Sequence, residues 1–370
     1  MKKTSLYLLL LLTVELIAQN NSFSPGEIWK DTDGIHINAH GGGILFDRGI
    51  YYWYGEHKGT SNNAQVGITV YSSNDLYNWK NEGVALAVSK NPNSEIVTGS
   101  VMERPKVIYN AKTKEYVMWF HLELKGQGYA AARTAVATSS SPLGPFVYLK
   151  SYRPNKETWP LNYNEKWKKA PKDGEPQKWW SEKWYKAVKE GLFVRRDFVE
   201  GQMSRDMTIY VDDNGKAYHI HSSEENQTLH ISELTDDYLG FTGKWARIDP
   251  GGQNEAPAIF KKDGTYYMIT SGLTGWDPNA ARSFKANSIL GPWTPLGNPA
   301  KGKDSNLTFY SQSTFILPIQ GKKDAFIFMA DRWTPKTPID GRYIWLPIKF
   351  KEGKPVIEWE KRWKINQFFK

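Results

Sequence analysis

The chain has 370 residues and no cysteine, which allows one large domain or two ordinary ones and excludes disulfides and thiolate metal sites. Its formal charge is +9, but Lys and Arg are spread along the chain with only some concentration between Lys150 and Arg196, which argues for a solvated basic surface and against a nucleic-acid face. Aromatic residues make up 14%, with 16 Trp and 20 Tyr, and such rings serve either to fill a β-core or to stack on sugars.

Lys2 and Lys3 precede an apolar run from Leu6 to Leu12 that continues to Ile17, and Ala18-Gln19-Asn20 follows as a cleavage point. Residues 1–18 therefore read as a secretory signal peptide, too short for a membrane span and interrupted by Glu15. No later segment reaches spanning length, and without cysteine there is no lipoprotein anchor. The expectation is a periplasmic or secreted protein starting near Gln19.

From there the chain reads as short strands rich in Tyr, Trp, Ile and Val, separated by Gly, Asn, Asp and Pro turns. A hairpin motif recurs five times: Gly43–Tyr54, Lys106–Trp119, Met207–Ile220, Ala258–Ile269, and Thr314–Pro318 with Asp324–Phe328. A second strand-and-turn motif follows four of the copies: Tyr71–Trp79, Ala137–Phe146, His230–Tyr238 and Phe284–Trp293. In the fifth unit Tyr343–Ile348 and Pro355–Trp359 supply the outer strands. Five such units predict an all-β, five-bladed propeller over residues 19–370. A β-sandwich, the alternative, would show no such period.

Residues 151–199 break the pattern. They hold Trp159, Trp167, Trp179, Trp180 and Trp184 among many Lys and Glu, with a short helix expected near Ser181–Glu190. The segment reads as an insertion between blades two and three. It either walls the pocket and supplies a stacking Trp, or packs on the side of the propeller.

Aligning the hairpins exposes a ring of polar residues. Counting back 12, 13, 12, 12 and 14 positions from Tyr52, Tyr116, Tyr218, Tyr267 and Phe326 reaches His40, Glu103, Asp206, Glu255 and Gln312. Each precedes the first strand of a blade, which in a propeller lines the central channel, so five polar groups converge on one axial pocket. Carboxylates gathered there are costly to desolvate and point to function. Two glutamates from different blades suit glycoside hydrolysis, in which one acid protonates the leaving oxygen.

Ile37–Gly43, Tyr51–Glu56, Glu103-Arg-Pro105, Ser204–Met207, Asn254–Pro257, Thr274–Asn279 and Tyr310–Gln312 together resemble glycoside hydrolase family 43 over nearly all of the mature chain, about Glu27 to Trp363. They look most like the branch of exo-β-1,3-galactanases and related galactofuranosidases and arabinofuranosidases. The resemblance implies a five-bladed propeller that inverts anomeric configuration, with Glu255 as general acid and Glu103 tuning its pKa and holding the sugar. Most of the family carries an aspartate base in blade one. Here that stretch reads Asn38-Ala-His-Gly41, as in the galactanase-like branch, where Gln312 would hold the water. An amide is a poor base, so Gln312 either orients water or acts through its imidic tautomer, or else Asp206 or Glu56 accepts the proton. Glu56, His40, Asp206, Thr274 and Trp276 are the expected sugar contacts, with Trp276 stacking on a ring face. One polar residue of Ser222–Asn226 is expected to reach the pocket.

No cofactor is expected. His219, His221 and His230 lack ligand-type spacing, and no calcium cage is evident. The expected partner is a polysaccharide or oligosaccharide, with no nucleic acid, no membrane span, no obligate protein partner and no appended carbohydrate-binding module. The leading substrate is terminal β-1,3-galactosyl. The rivals are furanose tips on the same scaffold, or a sugar-binding propeller without catalysis.

Overall fold

The recurring hairpins fold into five antiparallel sheets, four with four strands and one with five. In this computed structural model, residues 19–170 and 178–369 are described, and the expected signal segment lies outside them. Blade one spans His40–Ala87, blade two Val101–Tyr152, blade three Met207–Ile248, blade four Glu255–Gly297, and blade five Gln312–Glu358. In blade five the two outer strands run Arg342–Lys351 and Lys354–Glu358. A two-residue strand, Ala300–Lys301, adds to its edge in parallel, a feature without a sequence signal.

The aromatic runs follow from pleating. Successive side chains of a strand point to opposite faces, and an inner propeller strand is buried on both. In the second strand of blade one, Tyr51 and Trp53 join the core shared with blade five, while Tyr52 and Tyr54 join the core shared with blade two. The other three interfaces are built the same way, so the molecule holds five inter-blade cores around its axis. The ring closes where the backbones of Phe23 and Trp363 exchange two hydrogen bonds of 2.8 and 3.1 Å. Phe23 packs there among Trp29, Tyr77, Trp345 and Trp363.

The outer strand of blade two continues through Tyr152, so the insertion begins at residue 153. It carries helices Glu165–Lys168, Glu182–Lys189 and Leu192–Arg196. The middle helix forms where the sequence indicated: Ser181 Oγ accepts from Trp184 N, Glu182 sits in the first turn, and Lys186 and Lys189 in the last. Trp184 and Val188 are its buried face. Arg247 of blade three donates to the carbonyls of Val188 and Lys189 at the helix end, and Tyr163 and Val194 pack on Trp245. The described part of the insertion is thus fastened to the outside of blade three. None of its tryptophans lines the axial pocket.

Candidate active site

Four of the five inner strands carry a β-bulge immediately after the ring position: between His40 and Gly43, Glu103 and Lys106, Glu255 and Ala258, and Ser313 and Phe315. In three blades the next residue is left-handed: Gly41 (φ 60°), Arg104 (57°) and Ala256 (51°). This explains the two Glu-x-Pro motifs. Proline cannot donate to the ladder and is tolerated at a bulge, and the bulge turns the preceding glutamate into the channel.

The channel is divided across its width. Arg104, from blade two, donates from Nε and Nη2 to Asp206 of blade three (3.2 and 2.9 Å), from Nη2 to Gln312 Oε1 of blade five (2.6 Å), and from Nη1 to Ser313 O (2.8 Å). Beneath it Lys106 Nζ donates to the carbonyl of Gly41 in blade one, at 3.0 Å. The cavities at the two ends of the channel share no lining residue. The upper one, about 260 Å³, is a blind pocket into which Glu56, Glu103, Asp206, Glu255, Trp276 and Gln312 all open.

Glu255 lies at the edge of this pocket and accepts from Asn226 Nδ2 at 2.7 Å. Burial, and then the charge of Asp206, push its pKa up to about 8 against the pull of Arg104 and Arg205. The carboxyl is therefore protonated at neutral pH, as a general acid requires. The Asp206 and Glu103 charges both raise its pKa.

Glu103 is set differently. Burial alone would raise its pKa. Its bond to His121 Nδ1 (3.1 Å), the nearby Lys58 ammonium and the Tyr129 hydroxyl (2.8 Å) outweigh burial and hold it at about 2. His121 Nε2 meets Glu123 Oε1 at 2.8 Å, and between the two carboxylates the imidazole rises to about 9 despite burial. Glu123 Oε2 in turn accepts from Ala132 N. Glu103 is thus an ionised acceptor at the end of a fully buried relay, fit to hold sugar hydroxyls. Glu56 sits beside it, with Lys58 Nζ 2.5 Å from Oε2.

The Gln312 amide has one orientation. Arg104 Nη2 and Trp333 Nε1 are donors only, and both approach Oε1, at 2.6 and 2.9 Å. Nε2 donates to Ser271 Oγ at 2.9 Å, which leaves its second N–H for another acceptor. An imidic tautomer would put a proton on an oxygen that already faces two donors.

Two expected contacts sit elsewhere. His40 is fully buried, stacked on Tyr343 at 5.3 Å and 6.4 Å from the Trp333 ring, behind the pocket wall. Glu56, the cross-strand partner of His40, lines the pocket instead. Thr274 is exposed and closes its own loop, donating to Asp277 O and accepting from Asn279 Nδ2. It shapes the turn that presents Trp276 without lining the pocket. Trp276 is 41% exposed and meets Trp333 edge-on at 5.9 Å.

Sequence reasoning missed Arg104, Lys58, His121, Tyr129 and Trp333 as pocket residues. Arg104 stood inside the Glu-Arg-Pro motif, and His121 faces Glu103 across its hairpin, so register counting would have found both. Lys58, Tyr129 and Trp333 carry no local pattern. In Ser222–Asn226 the pocket residue is Asn226. Glu103, His121 and Asp206 lie close enough to hold a cation, but Arg104 and His121 already engage the carboxylates, and Lys58 adds a further positive charge.

The model of glycosyl hydrolases family 43 matches residues 179–328. A solved family 43 β-1,3-galactosidase in complex with galactodeoxynojirimycin superposes with a TM-score of 0.90, at 58% identity over 92% of this chain and all of that one. The chain belongs to glycoside hydrolase family 43. Two further relatives of this family 43 hydrolase are less similar to it. An exo-β-1,3-galactanase from Phanerochaete chrysosporium gives a TM-score of 0.76 at 34% identity, covering 93% of this chain and 68% of that one. A β-D-galactofuranosidase from Aspergillus niger is 23% identical over 300 residues, 79% of this chain and 73% of its own. The family 43 enzyme is therefore a glycoside hydrolase on a five-bladed propeller, with its polar ring at the blind end of the upper channel.

Proposed function

We propose that the protein is an exo-acting, inverting hydrolase that releases terminal galactose from β-1,3-galactan. The observation that carries the reading is Glu255, a carboxyl with a pKa of about 8 beside Asp206 in a pocket floored by Arg104. A blind pocket accepts a chain end and excludes a chain interior, which supports exo action. The names of the relatives support galactose as the sugar.

In this reading Glu103 and Glu56 hold hydroxyls of the terminal sugar. Glu255 gives its proton to the glycosidic oxygen as the bond to the anomeric carbon breaks. Water attacks that carbon from the opposite face, held by the free N–H of Gln312. Its proton passes to Asp206, which shares the Arg104 guanidinium with Gln312. The products are galactose of inverted configuration and the shortened chain. Residues 1–18 serve as a leader for export, which the N-terminal mass of the protein recovered outside the cytoplasm would check.

The test is to incubate wild type and Glu255→Gln with β-1,3-galactan and follow released sugar by chromatography and the first-formed anomer by NMR. Free galactose of inverted configuration from wild type, and none from the variant, is expected. Cleavage confined to galactofuranosides or arabinofuranosides would replace the substrate assignment. Silence on all of these would replace catalysis with sugar binding.

A further inference from the structure

The pocket does not end at its mouth. Trp276, Trp333, Gly275 and Gln312 also line a second cavity of about 340 Å³ on the side of blades four and five. Tyr310 and Arg332 in that cavity also line a third, about 670 Å³, bordered by Trp359 and Asp304. Each cavity thus shares wall residues with the next, in a series that leads from Glu255 outward past Trp276 and Tyr310 to Trp359.

The exposed aromatic rings concentrate on this path. Among the described residues six aromatic side chains are strongly exposed: Tyr129, Trp179, Trp180, Trp276, Tyr310 and Trp359. Tyr129 lines the pocket, and Trp276, Tyr310 and Trp359 follow one another along the path, each about two-fifths exposed. Exposed rings in a row beside polar groups are the surface that the apolar faces of sugar rings stack on.

The backbone is strained to place one of them. Thr308, Phe309 and Tyr310 are consecutive left-handed residues (φ 49°, 56° and 62°), unfavourable for non-glycine residues and most of all for a β-branched one. Anchors hold the turn: Thr308 Oγ1 donates to Asn279 O and accepts from Ala281 N, and buried Phe309 packs on Trp359 at 5.6 Å. The conformation carries Tyr310 out to the rim. The Arg332 guanidinium lies 5.9 Å from both the Tyr310 and Trp359 rings and joins them into one platform.

We infer that Tyr310, Arg332 and Trp359 form a binding track for the galactan chain beyond the bond that is cut. This rests on the reading that the terminal galactose sits at Glu255. Trp276 and Trp333 form the threshold between the pocket and the track, so a substrate long enough to cross them gains the rings of Tyr310 and Trp359.

The experiment compares kcat/KM on β-1,3-galactan with kcat/KM on an aryl β-galactoside, which ends before the track. In Tyr310→Ala/Trp359→Ala the galactan-to-aryl ratio should fall about five- to twentyfold relative to wild type. Tyr310→Phe/Trp359→Phe keeps the stacking faces and should hold the ratio within about twofold. In the Glu255→Gln background, electrophoresis through galactan-containing gels should show retardation that the alanine pair abolishes. An unchanged ratio with unchanged retardation overturns the track. If wild type cleaves neither substrate, the catalytic reading fails by itself. Gel retardation then judges the track alone, and its absence in Glu255→Gln overturns that too.

Discussion

Nη2 of Arg104 stands 2.6 Å from Oε1 of Gln312 and 2.9 Å from Oδ2 of Asp206, so a single nitrogen couples the amide of blade five to the carboxylate of blade three. In the proposed mechanism Gln312 donates and Asp206 accepts. Gln312→Glu keeps the acceptor that Arg104 and Trp333 require but removes the N–H. It should fold normally and lose about 10²-fold in kcat, a drop of the size expected for one positioned catalytic group. A glutamine acting as base would instead be matched or bettered by glutamate, so retained kcat in steady-state assays would reject the donor role.

The pH profile follows from Glu255. Only its protonated form donates, and its pKa is about 8, so kcat/KM should fall tenfold per pH unit above that value. Asp206→Asn removes the largest charge that raises it and should move this alkaline limb toward acid, alongside a loss of kcat. A limb that stays in place in the residual activity of the variant would show that Asp206 does not set the acid's pKa.

Glu255 also leaves a mark on stability. Its folded pKa lies above the ordinary value of 4.5, so the folded state binds the extra proton between pH 4.5 and about 8, and stability falls as pH rises through that window. Glu255→Gln removes this cost. The variant should melt a few degrees, or roughly 1–4 kcal/mol, above wild type at pH 8–9 and level with it near pH 4.5, as read by calorimetry.

His121 moves stability in the same direction with pH, but here the raised pKa reflects a stabilising contact and not a cost. Its folded pKa, about 9, exceeds the ordinary 6.5, so its contribution is complete below pH 6.5 and is lost as pH rises through 9. His121→Gln leaves Glu103 and Glu123 without the cation between them and should cost about 3–5 kcal/mol at pH 6, less at pH 9.5. A merely space-filling histidine would give a difference independent of pH.

Hairpins, blade order and four of the five ring positions were legible because a propeller writes them into local pattern: a strand, a turn, and a polar residue ahead of the inner strand. His40 stands at the same bulge as Glu103 and Glu255, yet its ring packs on Tyr343 behind the pocket wall. Glu56, across the ladder from it, lines the pocket, and no local pattern in the sequence distinguishes the two. The three glycines after His40 mark a close approach of backbone and side chains. A Cβ on Gly41 would stand 2.1 Å from Glu56 Oε1, one on Gly42 2.1 Å from Tyr54 O, and one on Gly43 2.4 Å from a Lys106 methylene. Lys58, Tyr129 and Trp333 stayed hidden because only ring closure brings their segments to the axis.

The Phe23–Trp363 clasp gives that closure a practical meaning. The proposed acid stands on blade four, the water holder on blade five, its guanidinium anchor on blade two, and the tuning carboxylate on blade three. No single hairpin owns a working fragment of the machinery. Turnover is thus a gauge of whether the circle is shut, and a chain that loosens at this seam would forfeit its chemistry while most of its sheets remain intact.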